Sequence, residues 1–131
     1  MLTARAIMTE DIVTITPEAS IKEAIELMLL QRISGLPVCD NEGHMVGVIT
    51  EYALLAIAYD QKIQCETVAQ HMTTDVLSID IDDPISKAAD LCIVHRVRRV
   101  PVLQNGHLAG LISRRDVLKA LYESEAPVCT A

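Results

Sequence analysis

The pattern of apolar and polar positions predicts that the chain begins with a short strand followed by an amphipathic helix. Ile12 to Ile15 is a run of β-branched residues, which favours a strand. Ser20-Ile-Lys-Glu23 has the pattern of a capping box, and apolar residues follow at helical spacing, at positions 21, 24, 25, 28 and 29. Later in the chain, Asp83 is expected to cap a similar helix, with Pro84 at its first position.

Each helix is followed by two apolar runs separated by turn residues, which predicts a β-hairpin. Pro37 and Pro101 lie in the first strand of each hairpin. Because proline lacks the N–H that a strand ladder needs, both are expected at edge or strand-entry positions. A second helix is predicted after each hairpin, from Glu51 and from Arg114. The predicted strands are Leu36–Cys39 and Val46–Ile49 in the first hairpin, and Val100–Leu103 and Leu108–Ile112 in the second.

The chain contains two copies of one unit. When residues 7–55 are laid over residues 71–118, Met8-Thr9 matches Met72-Thr73, and Pro37-Val38 matches Pro101-Val102. The period of about 64 residues is too long for a solenoid and fits a duplicated supersecondary unit. We therefore expect three segments: repeat 1 (residues 1–64), repeat 2 (residues 65–123) and a C-terminal tail (residues 124–131).

Composition limits the classes of function. Half of the 131 residues are hydrophobic, yet Phe and Trp are absent, so the core must be aliphatic and offers no aromatic platform for single-stranded nucleic acid. No apolar run approaches the roughly 18 residues that cross a bilayer, and the N-terminus lacks the pattern of a signal peptide. We expect a cytoplasmic protein without a membrane partner.

Positive charge is concentrated in one part of an acidic chain. The net charge is −7, yet six of the eleven basic residues lie between positions 96 and 119, where Asp116 is the only acidic residue. Such a local focus favours a small anion over nucleic acid, which would need a broader basic surface. The six basic residues are Arg96, Arg98, Arg99, Arg114, Arg115 and Lys119.

Chemistry-bearing residues are scattered, which makes an enzyme the least supported function class. No nucleophile lies at workable spacing from a base, and neither a Gly-rich phosphate loop nor a metal cluster is found. Cys39 and Cys92 lie in apolar runs and are expected to be buried thiols. We therefore expect no catalytic residue and no metal site.

The two copies share a Met-Thr start, a central Pro-Val strand and a Gly-φ-φ-[Ser/Thr] end, where φ is apolar. In this combination the chain resembles the cystathionine-β-synthase (CBS) domain pair, or Bateman module, over roughly residues 1–122. The resemblance implies an α/β fold of two tandem β-α-β-β-α repeats packed face to face with pseudo-two-fold symmetry. It also implies a stand-alone, non-catalytic sensor that binds AMP, ADP, ATP or S-adenosylmethionine in the cleft between the repeats, with no catalytic cofactor.

The resemblance assigns the ribose and phosphate contacts to Ser113, Asp116, Arg98 and Arg99 in repeat 2. A carboxylate accepts hydrogen bonds from both ribose hydroxyls, arginines match phosphate oxygens, and a helix N-terminus offers free N–H groups. The alternative is that Ser113 and Asp116 only cap their own helix. Arg114, Arg115 and Lys119 lie on the helix predicted from Arg114. The simpler interpretation of these three residues is that they form a solvated helix face.

Family analogy also places an apolar wall around the adenine, at Ile12, Val13, Ile33 and Ser34. Repeat 1 departs from the pattern, because Ala53 replaces the aspartate and because Ser34 and Gly35 replace the arginines. We therefore expect a degenerate second site, with Thr50, Val76, Leu77 and Val97.

A homodimer is expected from the family and from apolar residues in the helices that follow the hairpins. A target protein is also possible. The alternative function is a structural dimerisation or protein-interaction module with a vestigial ligand site. The apolar residues in question are Leu54, Leu55, Ile57, Leu118 and Leu121.

Overall fold

The computed structural model describes residues 2–124, so the tail predicted at 124–131 falls almost wholly outside the described residues. The fold is mixed α/β, as predicted. In chain order the helices are α1 (Ala4–Ile7), α2 (Ile21–Gln31), α3 (Glu51–Ile57), α4 (Val68–His71), α5 (Ile85–Val94) and α6 (Arg114–Ser124), with a 3-10 turn at Ile63–Cys65. The strands are β1 (Gly35–Cys39), β2 (Met45–Thr50), β3 (Ile79–Asp80), β4 (Arg99–Gln104) and β5 (His107–Ser113).

The chain divides into two compact units that do not follow the predicted repeat boundaries. Unit 1 contains the described residues up to Ile12, Leu77–Asn105 and those from Ala109 onward. Unit 2 contains Val13–Val76 and Gly106–Leu108. Thr9 shows why the N-terminal residues belong to unit 1, because its N–H and C=O exchange hydrogen bonds of 2.8 and 3.0 Å with Leu111.

Unit 2 is built around the antiparallel pair β1–β2, in which Pro37 lies opposite Val48. The strand predicted at 12–15 is wrong, because only Ile15 makes a bridge, parallel to Val38. The predicted capping box is confirmed: Glu23 N–H donates to the Ser20 hydroxyl at 3.0 Å, and Ser20 N–H donates to the Glu23 carboxylate at 3.3 Å. These two bonds fix the start of α2.

Unit 1 contains a three-stranded sheet in the order β3-β4-β5, in which β3 runs parallel to β4. Pro101 is therefore in the middle strand, so of its two predicted positions the edge is wrong, and strand entry fits the side that faces β3. The sheet tolerates it because pairing with β3 begins one residue later, at Val102. In the turn of the second hairpin, Asn105 and Gly106 have φ values of 53° and 82°, as a two-residue type I′ turn requires.

The predicted start of α5 is also wrong in detail. Pro84 is the N-cap of α5 and not its first residue, and the Asp83 side chain does not cap it. Instead, the Asp83 carboxylate accepts the N–H of Asp80 at 2.7 Å and pairs with Lys87 at 3.2 Å. Its carboxylate is therefore committed to the turn that precedes the helix.

Each unit has its own aliphatic core, as the absence of Phe and Trp requires. In unit 2, Ile21, Leu36 and Ile49 are fully buried, and Val100, Val102 and Ile112 play the same part in unit 1. No buried polar or charged residue is present among the described residues. Within the same part of the chain, no helix is long and apolar enough to span a membrane.

The repeated Met-Thr and glycine motifs contact each other directly within each unit. A Cβ on Gly47 would lie 2.7 Å from the sulfur of Met72 and 2.8 Å from the carbonyl oxygen of Thr73. A Cβ on Gly110 would lie 2.6 Å from the sulfur of Met8. The glycines are therefore required for space, because each methionine crosses a strand where no side chain fits.

Candidate functional site

The four residues predicted to contact ribose and phosphate all belong to unit 1, and we call them the repeat-2 polar site: Arg98, Arg99, Ser113 and Asp116. Ser113 and Asp116 form a complete capping box at the start of α6. The Asp116 N–H donates to the Ser113 hydroxyl, and the Ser113 N–H donates to Asp116 Oδ2, both at 3.1 Å. The structure thus confirms the capping role for this pair.

The capping box leaves one carboxylate oxygen of Asp116 able to accept a hydrogen bond from a ligand. The box uses Oδ2, and within residues 2–124 no hydrogen bond to Oδ1 is present. An ionised carboxylate has about four lone-pair sites, so one oxygen can hold the cap while the other accepts from a ligand hydroxyl. The side chain is partly exposed, so that oxygen is within reach of a ligand.

The arginines are tied to the same helix start through the backbone. Arg98 lies immediately before β4 and Arg99 is its first residue. The N–H of Arg114, the first residue of α6, donates to the carbonyl oxygen of Arg98 at 3.0 Å. This bond brings the arginine segment beside Ser113.

The same bonds correct the expectation that the start of α6 offers a set of free N–H groups. Two of the first three N–H groups in the helix, those of Arg114 and Asp116, already donate within the protein. The positive charge available for an anion therefore comes mainly from side chains. Arg98 and Arg99 are exposed, and neither takes part in an ion pair within the described chain.

Repeat 1 has the same backbone frame without the charged groups. Thr50 caps α3 by accepting the Ala53 N–H at 3.2 Å, and the N–H of Glu51 donates to the Ser34 carbonyl oxygen at 2.9 Å. Ala53 thus occupies the place of the aspartate, and Ser34 that of the first arginine. The exposed Glu51 brings negative charge to this helix start.

The residues predicted as apolar walls are divided between the two units. For the repeat-2 site, Ile12 lies in unit 1 with the polar residues, whereas Val13, Ile33 and Ser34 lie in unit 2. Val13 and Ile33 pack, partly buried, against the core of unit 2. For the degenerate site, Val76 lies in unit 2, and Leu77 and Val97 lie in unit 1. A role in binding adenine stays a prediction for all of them.

Among the described residues, cysteines and histidines form neither a disulfide nor a metal site. Burial raises the pKa of the Cys39 thiol, as expected for a structural cysteine, and burial also raises the pKa of the half-buried Cys92. Cys129 lies outside the described residues. Among residues 2–124 no three His, Cys, Asp or Glu side chains are arranged to hold a metal ion.

Comparison with known proteins gives two matches to the CBS domain model, at residues 4–60 and 68–123. Inosine-5'-monophosphate dehydrogenase of Methanocaldococcus jannaschii is 37% identical over 117 residues, which are 88% of this chain but 23% of the dehydrogenase. An uncharacterized 17.7 kDa protein of Acidianus ambivalens is 30% identical over 89% of this chain and 71% of its own length. This chain therefore spans about a quarter of the dehydrogenase and most of the smaller protein.

Solved structures show the same fold over nearly the whole chain. CBSX2 in complex with AMP has a TM-score of 0.85 and 28% identity, and the match covers 96% of this chain and 100% of that one. The CBS-domain containing protein ATU1752 from Agrobacterium tumefaciens has a TM-score of 0.76 and 30% identity, over 92% and 99% of the two chains. Both neighbours consist of little beyond the shared fold.

Proposed function

Because the chain belongs to the CBS domain family, with two CBS domains in tandem, we propose that it is a non-catalytic regulatory module whose repeat-2 polar site binds an adenosine-containing ligand. The observation that carries the proposal is the bond from Arg114 N–H to the Arg98 carbonyl. It places the backbone of two arginines, which form no ion pair within residues 2–124, beside the start of the helix that carries Asp116, whose Oδ1 accepts no hydrogen bond from the described residues. Phosphate and ribose need these two kinds of group, side by side.

The comparisons support the class of ligand. CBSX2, which is 28% identical, was solved with AMP. The charge distribution agrees with such a ligand, because a chain of net charge −7 concentrates its basic residues around this site. A nucleotide phosphate is therefore attracted to one place on a protein that otherwise repels it.

The structure supports only one strong site per chain. Repeat 1 keeps the Thr50 cap and the Ser34 carbonyl contact, but it has no carboxylate at position 53 and no arginine at positions 34 and 35. Loss of one charge-assisted contact costs about 1.5–3 kcal/mol, which is roughly a 10- to 150-fold loss of affinity. Repeat 1 lacks three such groups, so its affinity should fall outside the measurable range.

Titration calorimetry with AMP, ADP, ATP and S-adenosylmethionine tests the proposal. We expect one ligand per chain, binding at least tenfold weaker in Asp116→Ala, and no binding when Arg98 and Arg99 are both replaced by alanine. Thr50→Ala is the matched control, because it removes the equivalent cap in repeat 1 without removing a charge. Its affinity should equal that of the parent.

Two results would contradict this assignment. Equal affinities of the parent and Asp116→Ala would remove the carboxylate from the site, and two ligands of similar affinity would show that repeat 1 also binds. Absence of binding by all four ligands would favour the second candidate, a structural interaction module. The complete Ser113–Asp116 capping box favours that candidate to the extent that it explains both residues without a ligand.

We also propose that the protein is a homodimer. Leu55 on α3 and Leu118 on α6 expose 67% and 70% of their surface, and Tyr52 and Tyr122 are exposed on the same two helices. Leu54 does not contribute as predicted, because it is buried in the core of unit 2. Apolar residues this exposed on helices are typical of surfaces that a second copy covers.

Light scattering at tens of micromolar should give the mass of two chains. Leu118→Asp should shift the protein toward monomer, because it places a charge in the proposed apolar interface. Gln61→Asp, which adds the same charge at an exposed polar position, is the control and should remain dimeric. A monomeric parent, with and without AMP, would refute the dimer.

A further inference from the structure

Two histidines at equivalent positions of the repeats stack on each other at the hairpin turns. His44 follows Gly43, and His107 follows Gly106. Their ring centroids are 4.2 Å apart, and the ring planes are tilted by 35°. All four residues belong to unit 2, and both rings are accessible to solvent, so both can exchange protons.

The backbones of the two turns are hydrogen-bonded beneath this stack. Met45 N–H donates to the Gly106 carbonyl oxygen, and Leu108 N–H donates to that of Gly43, each at 3.2 Å. A Cβ on Gly106 would lie 3.0 Å from Cδ2 of His44, and one on Gly43 would lie 3.3 Å from Cδ2 of His107. Each glycine thus makes room for the opposite ring. We call the stacked rings and these two hydrogen bonds the histidine latch.

The charges around the two rings are unequal. Nδ1 of His44 lies 3.5 Å from Oε2 of Glu42 and 3.7 Å from Oδ1 of Asp40. The same Asp40 oxygen accepts the N–H groups of Glu42 and His44 at 2.9 Å, so its position is fixed. His107 is in none of the ion pairs that the described residues form. A proton on His44 therefore has two counter-ions, whereas a proton on His107 has none.

Metal binding does not account for the pair, since no three His, Cys, Asp or Glu side chains in residues 2–124 are arranged to hold a metal ion. The remaining chemistry open to two stacked imidazoles is protonation of one ring or of both. One charged ring beside a neutral ring is stable in a stack, but two charged rings 4.2 Å apart repel each other. The carboxylates of Asp40 and Glu42 lie beside His44 and offset mainly its charge.

We propose that the histidine latch is a proton-operated switch, closed while at most one ring is charged and open when both are. The latch therefore opens as the pH falls and closes as it rises. Opening releases the first residues of β2 and β5. The contacts involved lie within unit 2, so the switch operates whether or not the protein binds a nucleotide.

Amide hydrogen exchange of the intact protein, measured by NMR with EDTA present, tests the switch. The amides to follow are those of Met45 and Leu108, which form the hydrogen bonds of the latch. Expressed as protection factors, their exchange is corrected for the intrinsic effect of pH. We expect protection to fall by roughly fivefold between pH 7.5 and pH 5, as repulsion between two charges about 4 Å apart implies where water screens them.

His107→Gln is the decisive variant, because it leaves one imidazole and so prevents the doubly charged state. The two protection factors should then be independent of pH. His95→Gln, an exposed histidine at the end of α5 in unit 1, is the matched control and should keep the full response. Equal protection at both pH values in the parent, or an unchanged response in His107→Gln, would overturn the proposal. Neither readout depends on ligand binding, so failure of the nucleotide proposal leaves this test intact.

Discussion

Replacing Gly47 by alanine tests the close packing that explains the repeated Met-Thr and glycine motifs. The added Cβ would lie 2.7 Å from the Met72 sulfur and 2.8 Å from the carbonyl oxygen of Thr73. The sulfur is on a flexible side chain, but the carbonyl oxygen accepts the Val48 N–H at 2.9 Å and cannot move without breaking that bond. The substitution therefore forces the two segments apart.

The expected cost follows from two opposing effects. Overpacking of this kind costs about 1–3 kcal/mol, and a backbone contact places it toward the upper end. Alanine also lowers the conformational entropy of the unfolded chain, which stabilises the folded protein by about 0.4–1 kcal/mol where the backbone conformation suits alanine. We expect a net loss of about 2 kcal/mol of unfolding free energy, or roughly 8 °C in Tm for a domain of this size.

Urea denaturation of three alanine variants provides the measurement and its controls. Gly35→Ala should be neutral or slightly stabilising, because its nearest neighbour would be 3.8 Å away. Gly110→Ala should be destabilised, but a second change of Met8 to alanine should relieve it, since all three of its close contacts are with the Met8 side chain. The corresponding change of Met72 should rescue Gly47→Ala only in part. A Gly47→Ala protein as stable as Gly35→Ala would refute the reasoning.

Three further predictions concern local features of the chain. Ser20→Ala should lower the free energy of unfolding by about 1 kcal/mol because it removes the hydroxyl that accepts the Glu23 N–H, whereas Ser86→Ala, on the exposed face of α5, should change it little. Arg32→Gly should stabilise the protein by about 0.5–1 kcal/mol in the same assay, since Arg32 ends α2 with a φ of 54° that glycine adopts without strain. Iodoacetamide followed by peptide mass spectrometry should label the exposed Cys65 before Cys39, whose pKa is raised by burial so that it holds less thiolate at neutral pH.

Short sequence patterns correctly predicted the helices and hairpins whose ends are fixed by residues close by in the chain. The starts of α2, α3 and α6 are set by side chains within three positions of each helix, and both hairpins are set by their turns. The segment 12–15 failed because β-branched residues favour extended backbone but cannot provide a partner strand, and only Ile15 finds one. The edge position failed for Pro101 for a similar reason, since the order of strands in a sheet depends on contacts far along the chain.

The same distinction applies to the candidate site. Spacing within one turn of helix predicted the pairing of Ser113 with Asp116. The bond between Arg114 and Arg98 joins segments that lie on opposite sides of a hairpin, and the contact of His44 with His107 joins two different hairpins. The repeat alignment was the only available signal for the latter, because it places both histidines directly after equivalent turn glycines.

The two helix starts indicate how a duplicated unit can keep its fold while it changes its ligand chemistry. In both repeats a hydroxyl caps the helix, and the first N–H of the helix donates to the carbonyl of the residue just before the first strand of the hairpin. These bonds use backbone groups and one small side chain, so the charges at positions 98, 99 and 116 are additional to them. Replacing these charged residues removes only one hydrogen bond from the helix starts, the bond from the Ser113 N–H to Asp116 Oδ2. Repeat 1 is therefore a structural control that lies within the same chain, because its frame is complete although its charged groups are absent. Nucleotide affinity confined to repeat 2 would arise from side chains added to this frame, those at positions 98, 99 and 116 among them.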